Sequence, residues 1–121
     1  MIIGIGMDII ELDRMAAAIK RNTRLPDRIL ADREKEAFLD LSNDRRRTEY
    51  LAGRFAAKEA FAKACGHGIG RIRFRDIEVT QNTNGAPEMC VRGYEQAHLF
   101  VSITHSREYA AAQVVMEEKN G

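Results

Sequence analysis

Tryptophan is absent from this chain, cysteine and proline occur only twice each, and the formal net charge is +1. With no Trp, three Tyr and five Phe, the chain has no evident aromatic platform for stacking single-stranded nucleic acid. Cys65 and Cys90 form neither a metal-ligand spacing nor a disulfide framework, so they read as reduced, partly buried thiols. No apolar run approaches the roughly 20 residues that span a bilayer. The opening MIIGIGMDIIELDR carries acids and has no basic region ahead of its apolar part, which argues against a signal peptide. A charge so near zero excludes a general polyanion binder. Together these absences lead us to expect a cytoplasmic protein that partners neither membrane nor nucleic acid.

What is present suits one globular domain over residues 1–121, with 45% hydrophobic and 31% charged residues. The charge is unevenly placed. Arg14, Lys20, Arg21, Arg24 and Arg28 crowd one segment, and Arg45, Arg46 and Arg47 stand together in another. Such patches on a nearly neutral chain suit a defined acidic partner or a phosphate ligand.

Residues 2–8 alternate as a strand, with Ile3, Ile5 and Met7 on one face and Gly4, Gly6 and Asp8 on the other. A helix is expected over 11–21, with Leu12, Met15, Ala16 and Ile19 inward. Pro26 interrupts; helices at 27–30 and 32–41 follow, the second with Asp32 as N-cap. A long helix runs from Asp44 to Cys65 and stops at Gly66, and GHGIGR (66–71) reads as a flexible loop. Strands are expected at 77–80, 88–91, 99–104 and 110–116, and EEKNG (117–121) reads as a frayed tail. Helices first and strands later, with one early strand joining the later sheet, make the fold class α+β.

Glycines at 4 and 6 leave the strand face of Asp8 bare, marking a place where another group comes close: a helix, with Asp8 capping residues 9–12, or a ligand. On the long helix, Ala52, Phe55, Ala56, Glu59 and Lys63 share one side, while Arg54 and Lys58 lie on a neighbouring edge. Glu59 and Lys63 are spaced for an i,i+4 ion pair, yet Phe55 and Ala56 flank Glu59. A half-buried carboxylate needs a partner, either Lys63 or a metal ion. If Asp8 and Glu59 converge, two oxygen ligands without histidine or thiolate favour Mg²⁺ acting with a pyrophosphate. Arg54, Lys63 and the 45–47 run then supply positive charge. His105 ends a strand among Ser102, Thr104 and Ser106, which suits a phosphate or ribose contact or a structural role.

Taken in order, GIGMDIIEL, LAGRFAAKEAFAKA followed by GHGIG, RDIEV, NGAP and VSITHSREYAAAQVV resemble the holo-acyl carrier protein synthases, small 4′-phosphopantetheinyl transferases. The resemblance implies a transferase-type α+β fold, a long helix packed on a mainly antiparallel sheet, assembled as a homotrimer with active sites between subunits. It implies transfer of phosphopantetheine from coenzyme A to a serine of apo-acyl carrier protein, in support of fatty acid biosynthesis. By resemblance, Asp8 and Glu59 ligate Mg²⁺, with Mn²⁺ tolerated, and Lys63 faces the pyrophosphate. The base is either Glu59 or a metal-bound water. Arg46, Arg54, Lys63, Gly66, Gly85, Pro87 and His105 match coenzyme A contacts. Arg14, Arg21 and Arg24 match the face that receives acyl carrier protein. Ala86 stands where a basic residue is common, so no phosphate contact is implied through that side chain. Two rival readings are a Mg²⁺-dependent pyrophosphate or nucleotide hydrolase and a nonenzymatic binder of an acidic partner.

Overall fold

The computed structural model describes residues 1–66 and 72–119. Its elements are β1 (Ile2–Glu11), α1 (Leu12–Arg21), α2 (Leu25–Ile29), α3 (Asp32–Asp40), α4 (Asp44–Cys65), a 3-10 turn (Phe74–Asp76), β2 (Ile77–Gln81), β3 (Pro87–Val91), β4 (Ala97–His105) and β5 (Tyr109–Glu118). The strands form two antiparallel sheets, a three-stranded β1-β5-β4 and a two-stranded β2-β3. The α+β class and the early strand joining the later ones are as expected.

Helix α4 has its expected bounds. Asn43 caps it by accepting the Arg46 N–H at 2.8 Å, and Gly66 ends it in the left-handed region at φ 77°. Of the loop expected at 66–71, only Gly66 lies among the described residues. Other expectations need correction. Asp32 is not the α3 N-cap: Ala31 holds that position, and its N–H donates to the Glu34 side chain at 2.7 Å. Pro26 does not separate helices but sits in the first turn of α2, where its missing N–H costs nothing. Asp8 caps no helix, because β1 continues to Glu11. The expected tail is strand as far as Glu118, paired through Glu117 with Ile2; residues 120–121 lie outside the described ones.

Two apolar clusters flank α4. One packs Ala56, Ala57, Ala60 and Phe61 against Ile77, Val79, Val114 and Met116; the other joins Leu51 and Ala52 to Leu12, Met15, Ile29 and Leu30. The bare glycine face of β1 is covered by α4. A Cβ on Gly6 would lie 1.9 Å from the Ala60 carbonyl oxygen, and one on Gly4 2.0 Å from that of Ala64. The glycines therefore let strand and helix backbones touch, and that contact sets the separation of Asp8 from Glu59. Gly6→Ala must push two backbones apart, and a loss of about 3 kcal/mol is expected in urea denaturation, the upper end for overpacking.

Candidate active site

Asp8 projects from β1 on the face that meets α4, and Glu59 and Lys63 project from α4 toward it. Lys63 Nζ donates to Asp8 Oδ1 at 3.2 Å and to the Met7 carbonyl at 2.9 Å. Of the two partners left open for Glu59, the i,i+4 pair with Lys63 is not formed; the lysine crosses to the strand instead. Burial pushes the Glu59 carboxyl above the usual range, the Asp8 carboxylate pushes it further, and Lys63 partly opposes them. Asp8 and Glu59 thus converge closely enough to repel each other.

Both acids line a cavity of about 830 Å³ whose wall also includes Arg14, Arg21, Phe55 and Tyr109. Arg14 and Arg21 lie two turns apart on α1 and face the same opening. Arg24 is exposed at the start of α2, outside that lining.

The other expected residues gather elsewhere. Arg46, Arg54 and His105 line a 200 Å³ pocket with Glu49 and Tyr50, and a 340 Å³ pocket shares Arg46, Tyr50 and Arg54. The Arg54 guanidinium lies 4.2 Å from the Tyr50 ring centroid, and its buried Nε has no hydrogen-bond partner. An orphaned cationic donor beside the Arg46 guanidinium and the His105 imidazole suits an anionic ligand. Glu49 Oε2 lies 3.8 Å from His105 Nδ1 and 3.5 Å from Arg45 Nε. Gly85, at φ 83°, completes a turn in which Asn82 Oδ1 accepts the N–H groups of Asn84 and Ala86. Pro87 borders a separate cavity next to Leu99 and Phe100. Gly66 is exposed just beyond Lys63. Among the described residues, the cavity lined by the two acids does not include Arg46, Arg54, His105 or Pro87.

Sequence reasoning missed Lys58. It does not lie on an open edge; it is fully buried, and its ammonium contacts Glu34 Oε1 at 2.6 Å, the Ile29 carbonyl at 2.6 Å and the Phe74 carbonyl at 3.1 Å. Burial lowers its pKa, with Glu34 opposing. The available signal was its spacing, seven residues after Leu51 and three before Phe61, both core residues. Tyr50 and Glu49 carried no comparable signal. Of the cysteines, Cys65 is half-buried as expected, whereas Cys90 is exposed.

Among the described residues, no cluster of three His, Cys, Asp or Glu side chains forms a metal cage. Two repelling carboxylates at a cavity wall instead suit a cation that keeps most of its water, as Mg²⁺ does.

The family model for the 4′-phosphopantetheinyl transferase superfamily matches residues 4–114. The chain is 55% identical over 119 residues to the holo-[acyl-carrier-protein] synthase of Oceanobacillus iheyensis, covering 98% of this chain and 99% of that one. In structure it is similar to the Bacillus anthracis synthase in complex with coenzyme A (3′,5′-ADP), with a TM-score of 0.90 and 43% identity, covering 98% and 99% of the two chains. It is also similar to the Helicobacter pylori synthase in complex with coenzyme A, with a TM-score of 0.81 and 31% identity over 93% and 99%. A matched model over nearly the whole chain, with close relatives of equal length, places this chain in the 4′-phosphopantetheinyl transferase superfamily, as an enzyme of the holo-[acyl-carrier-protein] synthase group.

Proposed function

We propose that the chain transfers 4′-phosphopantetheine from coenzyme A to a serine of apo-acyl carrier protein, yielding holo-acyl carrier protein and adenosine 3′,5′-bisphosphate, as a step in support of fatty acid biosynthesis. The observation that carries this reading is that Asp8 and Glu59 line one cavity with Arg14 and Arg21, while Lys63 contacts Asp8 at its edge. The serine oxygen bonds to phosphorus, the phosphoanhydride bond to the adenosine phosphate breaks, and the serine proton leaves to a base. The nucleophile belongs to the partner, so this chain needs no activated serine or cysteine.

Asp8 and Glu59 would hold Mg²⁺, or Mn²⁺ in its place. When bound, the ion supplies charge that stabilises the leaving phosphate. Lys63, half-exposed beside Asp8, reaches the same space and neutralises a phosphate oxygen. Arg46, Arg54 and His105 hold the nucleotide end, the unpartnered Arg54 Nε providing a donor already free of water. Gly66, Gly85 and Pro87 shape the walls along the donor.

Because the acids and the nucleotide-holding cations occupy separate cavities, the reading includes a homotrimer in which neighbouring subunits complete each site. The outer sheet face supports this assembly. Ile3, Ile5, Met7 and Ile9 of β1 are each more than half exposed, and Phe100 continues the row from Ile5 through Val115. An apolar face that large on a small protein marks an interface. Sedimentation should give the mass of three chains; a monomer would overturn the assembly.

The decisive assay incubates the protein with coenzyme A, Mg²⁺ and apo-acyl carrier protein and weighs the acceptor. A phosphopantetheine mass gain on serine is expected. No gain, or coenzyme A cleavage without an acceptor, overturns the reading. Arg14, Arg21 and Arg24 would dock the acidic carrier. Replacing Arg14 and Arg21 together with Ala should raise the carrier KM about tenfold at low salt and leave kcat nearly unchanged, because such charges govern encounter. The difference should shrink in steady-state assays at higher ionic strength.

A further inference from the structure

The Asp8 carboxylate already has a cation. Lys63 Nζ sits 3.2 Å from Asp8 Oδ1 and is steadied by the Met7 carbonyl at 2.9 Å. The Asp8 side chain is only 18% exposed, whereas Lys63 is 55% exposed, so the lysine has room on its solvent side to leave the carboxylate. A divalent ion held by this carboxylate would lie a few ångströms from the ammonium and would compete with it for the same negative charge. Their repulsion would offset much of the attraction that draws the metal in.

We propose that Lys63 is the resident counter-cation of Asp8 in the free enzyme, and that a divalent ion binds there only by displacing it. This rests on the reading of Asp8 and Glu59 as metal ligands. Lys63 then has two stations, one on Asp8 and the Met7 carbonyl, the other in the cavity where phosphate would lie. Metal entry and delivery of the lysine to phosphate become one exchange. The free enzyme keeps its repelling carboxylates compensated, and it discriminates against metal until a phosphate offers Lys63 another partner.

The test measures Mn²⁺ binding from the free-ion electron paramagnetic resonance signal, with neither coenzyme A nor carrier protein present. Lys63→Met should bind Mn²⁺ roughly tenfold more tightly than the wild type, as removal of one adjacent positive charge in a solvent-accessible site predicts. Lys63→Arg, which keeps the charge, should match the wild type. Equal or weaker binding by Lys63→Met overturns the exchange. In that case, Mn²⁺ binding that is still weakened by Asp8→Asn leaves the metal-ligand reading standing. Binding indifferent to both Asp8→Asn and Glu59→Gln overturns the two together.

Discussion

Glu59→Gln should lower the rate of carrier-protein modification by roughly 10²–10³-fold, the loss of several kcal/mol of transition-state charge stabilisation, while the protein stays folded. The amide keeps nearly the same volume and removes the negative charge. Coenzyme A and carrier KM values should change far less than kcat, because Arg46, Arg54 and His105 line other pockets and Arg14 and Arg21 lie on α1. Unchanged kcat would refute the metal role. The substitution also carries a signature in stability. Burial and the nearby Asp8 raise the Glu59 pKa in the folded state, so the folded chain holds its proton more tightly than the unfolded chain. That contribution is fully present below the ordinary carboxylate value and is lost as pH rises through the raised one. Gln has no proton to lose. Glu59→Gln should therefore melt above the wild type at neutral pH, and the gap should close in acid. Thermal melts at a series of pH values check this, and an equal gap at all pH values would show that the carboxyl is not perturbed.

The long helix was legible because its signals are local and agree: alanine-rich periodicity through it and a glycine after it. Alternation likewise made β1, β4 and β5 readable to within a few residues. The misreadings occurred where distant segments meet. Spacing left Lys63 open as the i,i+4 partner of Glu59 and could not show that a strand 55 residues away offers the lysine a carboxylate and a carbonyl together. The bare strand face of Asp8 suggested a ligand or a helix, and α4 fills it up to the aspartate, where the cavity begins. Arg46, Arg54 and His105 were each readable as phosphate-binding types, but their grouping came only with the family resemblance, because a pocket joining a helix to the end of β4 leaves no period in either segment.

Lys58→Met should destabilise the fold by about 3–5 kcal/mol, the range for removing one partner of a buried ion pair. The ammonium binds four elements at one point: its own helix α4, the end of α2 through the Ile29 carbonyl, α3 through Glu34, and the 3-10 turn through the Phe74 carbonyl. Glu34 extends the junction, accepting the Ala31 N–H and, through Oε2, the Val79 N–H at 2.8 Å. A thioether fills the volume but leaves a fully buried carboxylate uncompensated and removes a donor from the Ile29 and Phe74 carbonyls, of which Phe74 keeps the Ile77 N–H. Adding Glu34→Gln removes the stranded charge and should recover about 1–2 kcal/mol, so a double-mutant cycle by urea denaturation will show coupling between the two positions. Full additivity would mean that the pair does not act as a unit. The loss also reaches the active site. Ile29 lines the cavity of Asp8 and Glu59, and Phe74 packs 5.5 Å from Phe55 on the same wall. Lys58 adjoins Glu59 in sequence but projects about 100° round the helix from it, so the two neighbours divide the work. Glu59 lines the cavity, and Lys58 anchors the end of α2, whose Ile29 lines that cavity too, and the turn whose Phe74 packs on Phe55.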